Sequence, residues 1–383
     1  MRQGRRLAAW VLATCEGLGA CGGGHRAETA AAVDATPSDT TPDVASETGG
    51  ADVEAPHDGP HDATSNPDTV RADAATSDAA TSPPLEPLQL AFTWHLEGAQ
   101  LVSDRAAFDR YIREIRTLSD LFAEYGAVPT WDAAEIVARS IAFNVNILQE
   151  LEARGDVIGL HANGVGYVPS DPDYTLDDMV AELNRQAARI RSLGVTVRHV
   201  SNICSTVDWV QASREAGFQA ATAMVDYCLK SLSEPGDASD CANPSQCHDA
   251  WPGTLEGQMS AWHARSGADW TTPAADGLLL IPTSGAINCA SEAAAGTVSP
   301  THCAYDDDDA TAVLAEIEAT VDARKPGKRH SFVMVASWGT RPDQAVFRTL
   351  FEGIRTRWVA TGKARWVGFD ALIDALHAAP PLP

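Results

Sequence analysis

The stretch Leu88-Gln-Leu-Ala-Phe-Thr-Trp-His-Leu-Glu-Gly98 decides how the chain is read. Leu88, Leu90 and Phe92 alternate as a half-buried strand requires, and Ala91 is small enough for a crowded opposite face. The run then turns polar. His95 and Glu97 stand two apart, so their side chains leave the same face, and Gly98 suits a sharp exit. An imidazole and a carboxylate at the C-terminal end of a strand make half of a metal or acid–base site, or else two solvated residues on an edge strand.

Downstream of this strand, helical and strand patterns alternate. Ser103-Asp104 caps a helix to Tyr125 whose apolar face is Phe108, Tyr111, Ile112, Ile115, Leu118, Leu121 and Phe122. Strands are expected at 127–131, 156–161, 195–201, 218–224, 278–281 and 332–335. Helices are expected through Ile136 and Leu151, and over 175–193, 206–216, 311–324 and 343–360; the segments 366–369 and 371–376 close the chain. Apolar strands separated by helices mean a parallel sheet, and about seven such units predict an α/β fold, a distorted (β/α)7-type barrel. In such barrels the C-terminal strand ends share one mouth. That mouth collects His95, Glu97, Trp131, Asp132, His161, Asn163, Ser201, Asn202, Thr283, Ser284, Ser337 and Trp338. Trp94, Trp131 and Trp338 offer flat apolar faces to a ligand there, or lie in the core.

The chain before residue 88 is of another kind. Met1 to Arg6 is basic and Leu7 to Ala20 is mostly apolar, too short to span a membrane. Leu18-Gly-Ala-Cys21 resembles a bacterial lipoprotein signal, which implies export and a lipid on Cys21; an ordinary cleaved signal predicts the same compartment. Residues 22–87 carry 13 acidic side chains against Arg26 and Arg71, with almost no large apolar residue. Such a stretch buries too little surface to offset ordering and reads as a self-repelling tether. It contributes −11 to a net charge of −24, which argues against a nucleic-acid partner. Contact with a membrane is expected through the lipid anchor only.

Of eight cysteines, Cys15 and Cys21 fall in the signal. Cys204, Cys228, Cys241, Cys247, Cys289 and Cys303 form an even set that suits three disulfides in an oxidising compartment. Spacing favours Cys241–Cys247 and Cys289–Cys303, leaving Cys204–Cys228, among the possible pairings. Residues 225–276 interrupt the alternation and are expected to be an ordered, disulfide-bonded insertion.

The domain from 88 to 383 resembles the polysaccharide deacetylase superfamily (NodB homology, carbohydrate esterase family four). The resemblance rests on strand one, on Glu124-Tyr-Gly-Ala-Val-Pro-Thr-Trp131, on Leu151-Glu-Ala-Arg-Gly-Asp-Val-Ile-Gly-Leu-His161, on Arg198-His-Val-Ser-Asn202, on Gly217-Phe218 and on Gly368-Phe-Asp-Ala-Leu-Ile373. It implies a distorted (β/α) barrel and metal-assisted removal of acetyl groups from a polysaccharide. By the same resemblance Glu97 and His161 stand at metal-ligand positions. His95 shares a face with Glu97, and on position it is expected either to complete a site for one divalent metal, zinc by ligand type, or to act as the base; His95 and Glu97 are the expected catalytic pair. Trp94, Trp131, Asp132, Asn163, Asn202 and Trp338 would line the substrate groove.

Three positions depart from that pattern. Leu96 stands where one of two adjacent aspartates is expected, Val165 in place of a second metal histidine, and Ser337-Trp338 where a late strand usually delivers a catalytic histidine. Asn163 or His199 are alternative partners for His161. Two readings stay open: a divergent metal-dependent hydrolase, and a catalytically silent glycan-binding protein on the same barrel.

Overall fold

The computed structural model describes residues 83–96, 103–162, 174–203, 205, 207–222, 259–270, 272–284, 287, 290–294, 305–337 and 343–378. Within these, nine strands form one sheet: β1 (Leu88–Leu96), β2 (Pro129–Ala133), β3 (Val157–His161), β4 (His199–Ser201), β5 (Ala220–Thr222), β6 (Trp262–Ala264), β7 (Leu278–Leu280), β8 (Ser331–Ser337) and β9 (Ala364–Trp366). The helices between them are α1 (Arg105–Glu124), α2 (Ile136–Phe143), α3 (Ile147–Ala153), α4 (Leu176–Arg191), α5 (Trp209–Glu215), α6 (Ala290–Ala294), α7 (Asp307–Ala323), α8 (Gln344–Ile354) and α9 (Phe369–His377).

The strand order is β6-β7-β5-β4-β3-β2-β1-β8, with β9 beside the foot of β1. Every pairing is parallel except β6 on β7. Just past β7, Ser284 donates its N–H to Val333 O on β8 at 3.1 Å, so the far ends of the sheet approach each other. This is the expected α/β barrel-like architecture, curled and incompletely closed. Residues 259–270, which include β6, and 272–276 are the described part of the expected insertion. The rest of it and all six cysteines assigned to disulfides lie outside the described residues, as do Cys21 and the chain before residue 83.

Local chemistry explains where the elements stop. Asp104 caps α1 by accepting from Ala107 N, and Thr175 and Asp178 form a reciprocal capping box on α4. The helical stretch expected between Ile136 and Leu151 divides in two. Asn144 takes a left-handed φ of 52°, and Asn146 then caps α3 by accepting from Gln149 N. Pro129 begins β2, where a missing N–H is tolerated. The strand expected over 195–201 pairs only from His199. Before it, Thr196 N donates to Glu152 Oε1 at 2.7 Å, so a side chain takes the place of a strand ladder.

Alternation sorts each strand into two faces. The outward residues of β1, namely Leu88, Leu90, Phe92, Trp94 and Leu96, join the large core under α1, α7 and α8. Phe92 there meets Phe122, Phe347 and Phe351 edge-on, with centroids 4.8–6.3 Å apart. The inward face holds a separate cluster of Ala91, Ala220, Leu279, Ile281 and Val333, filled by Phe369, Leu372, Ile373 and Leu376 of α9. The C-terminal helix therefore plugs the inside of the curled sheet. Phe369 is fully buried there, so Phe369→Ala is expected to lower unfolding free energy by about 3–5 kcal/mol in chemical denaturation. A loss under ~1 kcal/mol would mean that α9 is not part of the interior.

Candidate active site on the inner face of the barrel

Above the α9 plug the inward face becomes polar. Register places His95 of β1 opposite Asp132 of β2, and Asp132 opposite Gly159 of β3. Leu160 pairs with Val200, which brings Gly159 level with His199 of β4. One step nearer the strand ends, His161 pairs with Ser201 and Ser201 with Thr222. Thr93, His95, Asp132, His161, His199, Ser201 and Thr222 are all buried.

Asp132 is the centre of this group. His199 Nε2 lies 2.8 Å from Asp132 Oδ1, and the Thr93 hydroxyl donates a short hydrogen bond to Asp132 Oδ2. His95 Nε2 stands 3.8 Å from the same Oδ2. Full burial pushes the Asp132 pKa up, but the His199 imidazole and its hydrogen bond, then His95 and Thr93, outweigh burial and hold it at about 2. With Asp132 ionised, the bond from His199 requires the proton on Nε2. The Phe369 ring sits 4.5 Å from the His199 ring, so the plug also positions this imidazole.

The aspartate and His199 come from strands separated by β3, and they meet because position 159 has no side chain. A Cβ built on Gly159 overlaps Asp132 Oδ1 and His199 Nε2. A glycine inside a strand weakens pairing, and here it makes room for a cross-strand hydrogen bond.

His161 is brought to His95. Their ring centroids are 4.4 Å apart, and His161 Nδ1 lies 3.5 Å from Ser201 Oγ, the outer limit of a hydrogen bond. Asn202 follows β4 in a left-handed conformation, φ 56°, half-buried at the strand end. Glu97, Asn163 and Trp338 lie outside the described residues. Among the described residues no group of three or more His, Cys, Asp or Glu is arranged to hold a metal ion.

Trp94 and Trp131 are not at the mouth, which corrects their expected place in the groove. Both are fully buried in the outer layer, 6.0 Å apart between centroids. The Trp131 N–H is spent on Asp156 Oδ2 at 2.8 Å. Each is one residue from an inward polar side chain, so alternation turns it toward the helices. Asp132, expected to line a groove, is fully buried and serves as the shared partner of three side chains. His199, an alternative in the sequence, belongs to the centre. Thr93 and Gly159 carried no signal strong enough to single them out, whereas Ser201 was among the residues expected at the strand ends. The sign available for Asp132 was the alternation of Thr130 and Asp132 with Pro129, Trp131 and Ala133.

No protein-family model matches the chain, and no curated protein matches its sequence. Solved structures do share its fold. A probable polysaccharide deacetylase from Pseudomonas aeruginosa PAO1 superposes with a TM-score of 0.50 at 12% identity, over 79% of this chain and 96% of that one. The PuuE allantoinase superposes with a TM-score of 0.50 at 12% identity, over 82% of this chain and 100% of that one. The chain shares the barrel fold of these two proteins. The resemblance read from scattered motifs therefore holds for the architecture.

Two outcomes test the site. Gly159→Ala is expected to break the Asp132–His199 bond and to destabilise the fold by roughly 1–3 kcal/mol, through overpacking against a charged pair. Unchanged denaturation together with an unchanged His199 imidazole NMR signal would refute the role given to Gly159. The second outcome concerns pH. The folded pKa of Asp132 lies below the ordinary carboxylate value of about 3.9, so its contribution to stability is present above that value. It is lost as pH falls through about 2. The stability difference between wild type and Asp132→Asn should hold steady from pH 7 to about 5, then shrink between about pH 4 and 2. A difference that stays constant to pH 2 would show that Asp132 is not held ionised by these partners.

Proposed function

We propose that this chain is a divergent carbohydrate deacetylase-like hydrolase that removes acetyl groups from a polysaccharide. The observation that supports it best is the buried, ionised Asp132 beside His95, with His161 against the His95 ring, on the inner face of a deacetylase-like barrel. In this reading His95 takes a proton from the attacking water. The Asp132 carboxylate, 3.8 Å away, stabilises the imidazolium that forms. His199 and Thr93 hold the carboxylate in place, and His161 supports the His95 ring and faces the acyl group. Asn202, and the expected groove residues Asn163 and Trp338, would bind the sugar.

A divalent metal, zinc by ligand type, fits the proposal only with Glu97. His95 and His161 supply two nitrogen donors 4.4 Å apart by ring centroid, while both Asp132 oxygens already accept hydrogen bonds. When bound, such an ion polarises a carbonyl and lowers the pKa of its water. We further propose export with a lipid on Cys21, residues 22–87 as an acidic tether, and disulfides among the six domain cysteines.

A second reading, glycan binding without turnover, is favoured by the depth of the site, where His95 and His161 are only 3% and 1% exposed. Acetate release from acetylated xylan and acetylated chito-oligosaccharide, with metal content by mass spectrometry, separates the two. Release that falls by about 10²–10⁴-fold in His95→Ala and in Asp132→Asn supports the hydrolase. Oligosaccharide binding with no acetate from the wild type would leave the binding protein.

A further inference from the structure

Between the first turn of α2 and the later turns of α4, over the ends of β2 and β3, lies a groove of about 320 Å³. Arg139, Arg185 and Arg189 line it together with one carboxylate, Glu135, and its floor includes His161 of the candidate site. Arg185 is engaged by Glu182 through a two-point contact, Nε to Oε2 at 2.7 Å and Nη2 to Oε1. Arg139 and Arg189 make no ion pair with the described residues. Glu135 lies four residues before Arg139 on the same helix face, yet no ion pair between them forms within 4 Å. A chain of net charge −24 thus presents, in a concave site lined in part by a histidine of the proposed centre, two guanidinium groups that form no ion pair within 4 Å among the described residues, with Arg189 also feeling the charge of Glu182. Low-dielectric walls focus the field of such charges, and a guanidinium fork matches the oxygens of a carboxylate or sulfate.

We propose that this groove takes an anionic sugar unit of the glycan, a uronate or a sulfated sugar, held by Arg139 and Arg189 beside His161. The inference rests on the glycan-hydrolase reading and names its substrate class: an acidic polysaccharide rather than a neutral one. Neutral sugars would leave both guanidinium groups without partners, whereas an acidic unit gains charge-assisted hydrogen bonds next to the reacting sugar. The groove's Arg-rich side and the acetyl-handling histidines would then read adjacent units of one chain.

The test uses the full chain in calorimetric titrations with polygalacturonate, dextran sulfate and neutral xylan at low and high salt. Polygalacturonate, dextran sulfate or both should bind, xylan should bind much more weakly, and added salt should weaken the polyanion arm. Arg139→Ala with Arg189→Ala should lower polyanion affinity by roughly tenfold or more, and Lys at both positions should restore part of it. Circular dichroism melting should change little, because Arg189 is exposed and the half-buried Arg139 makes no ion pair with the described residues. Equal affinity in the double variant, or no binding of either polyanion, would overturn the proposal. A photo-crosslinker in place of Ala138 tests the chain's own acidic segment as occupant. Crosslinks to residues 22–82 that persist at saturating polyanion would also overturn it. Acetate release is read separately, with acetylated pectin as the acidic substrate and acetylated xylan as the neutral one. Polyanion binding with no acetate from either keeps the groove and removes the hydrolase reading, while release from acetylated xylan without polyanion binding does the reverse.

Discussion

A carboxylate sealed from water is the constraint on which the inner face of this barrel depends. An isolated charge at that depth costs several kcal/mol of lost hydration, so Asp132 stays ionised only if its neighbours replace that hydration. They come from two strands. Thr93 and His95 arrive on β1 and His199 on β4, across a strand whose facing position is Gly159. Each partner requires its own register, and a one-residue slip of any of these strands would turn its contributor into the outer core. The polar centre thus fixes the alignment of β1 to β4 more tightly than apolar packing would, since apolar clusters tolerate substitution and shift.

The same face is graded along the strands. Toward their N-terminal ends it is apolar and filled by α9, and toward their C-terminal ends it is polar. Phe369 stands at the transition, packed in the plug and 4.5 Å from the His199 ring. The plug excludes water from beneath the centre, which strengthens every electrostatic contact above it. Fold stability and site electrostatics are coupled here through a single helix close to the C-terminus.

Much of the architecture was legible because it follows from periodicity. The apolar faces of α1, α7 and α8 carry the residues their spacing predicts, and the parallel order follows from strands alternating with helices. The site was only half legible. His95 and His161 stood out because an imidazole at a strand end is locally conspicuous. Asp132 looked like a residue of a groove, since nothing near it in sequence shows that it will be level with His95 and His199. Gly159 drew no attention in the sequence, because its purpose lies in two side chains 27 and 40 residues away. Trp94 and Trp131 were placed at the mouth through proximity to polar neighbours, although alternation assigns an adjacent residue to the opposite face.

Register also resolves an apparent gap in strand one. Leu96 follows His95 where a carboxylate would be expected to serve the centre, and Leu96 is buried with the outer core. A carboxylate beside His95 is nevertheless present, carried by the neighbouring strand at the paired position. Side chains opposite each other on adjacent strands are as close as residues adjacent in sequence, and they share a face where sequence neighbours do not. A polar centre can therefore draw its imidazole and its carboxylate from neighbouring strands. Such a pair forms no continuous motif in the sequence; its marks are a polar residue at an inward position of β2 and a glycine at the facing position of β3.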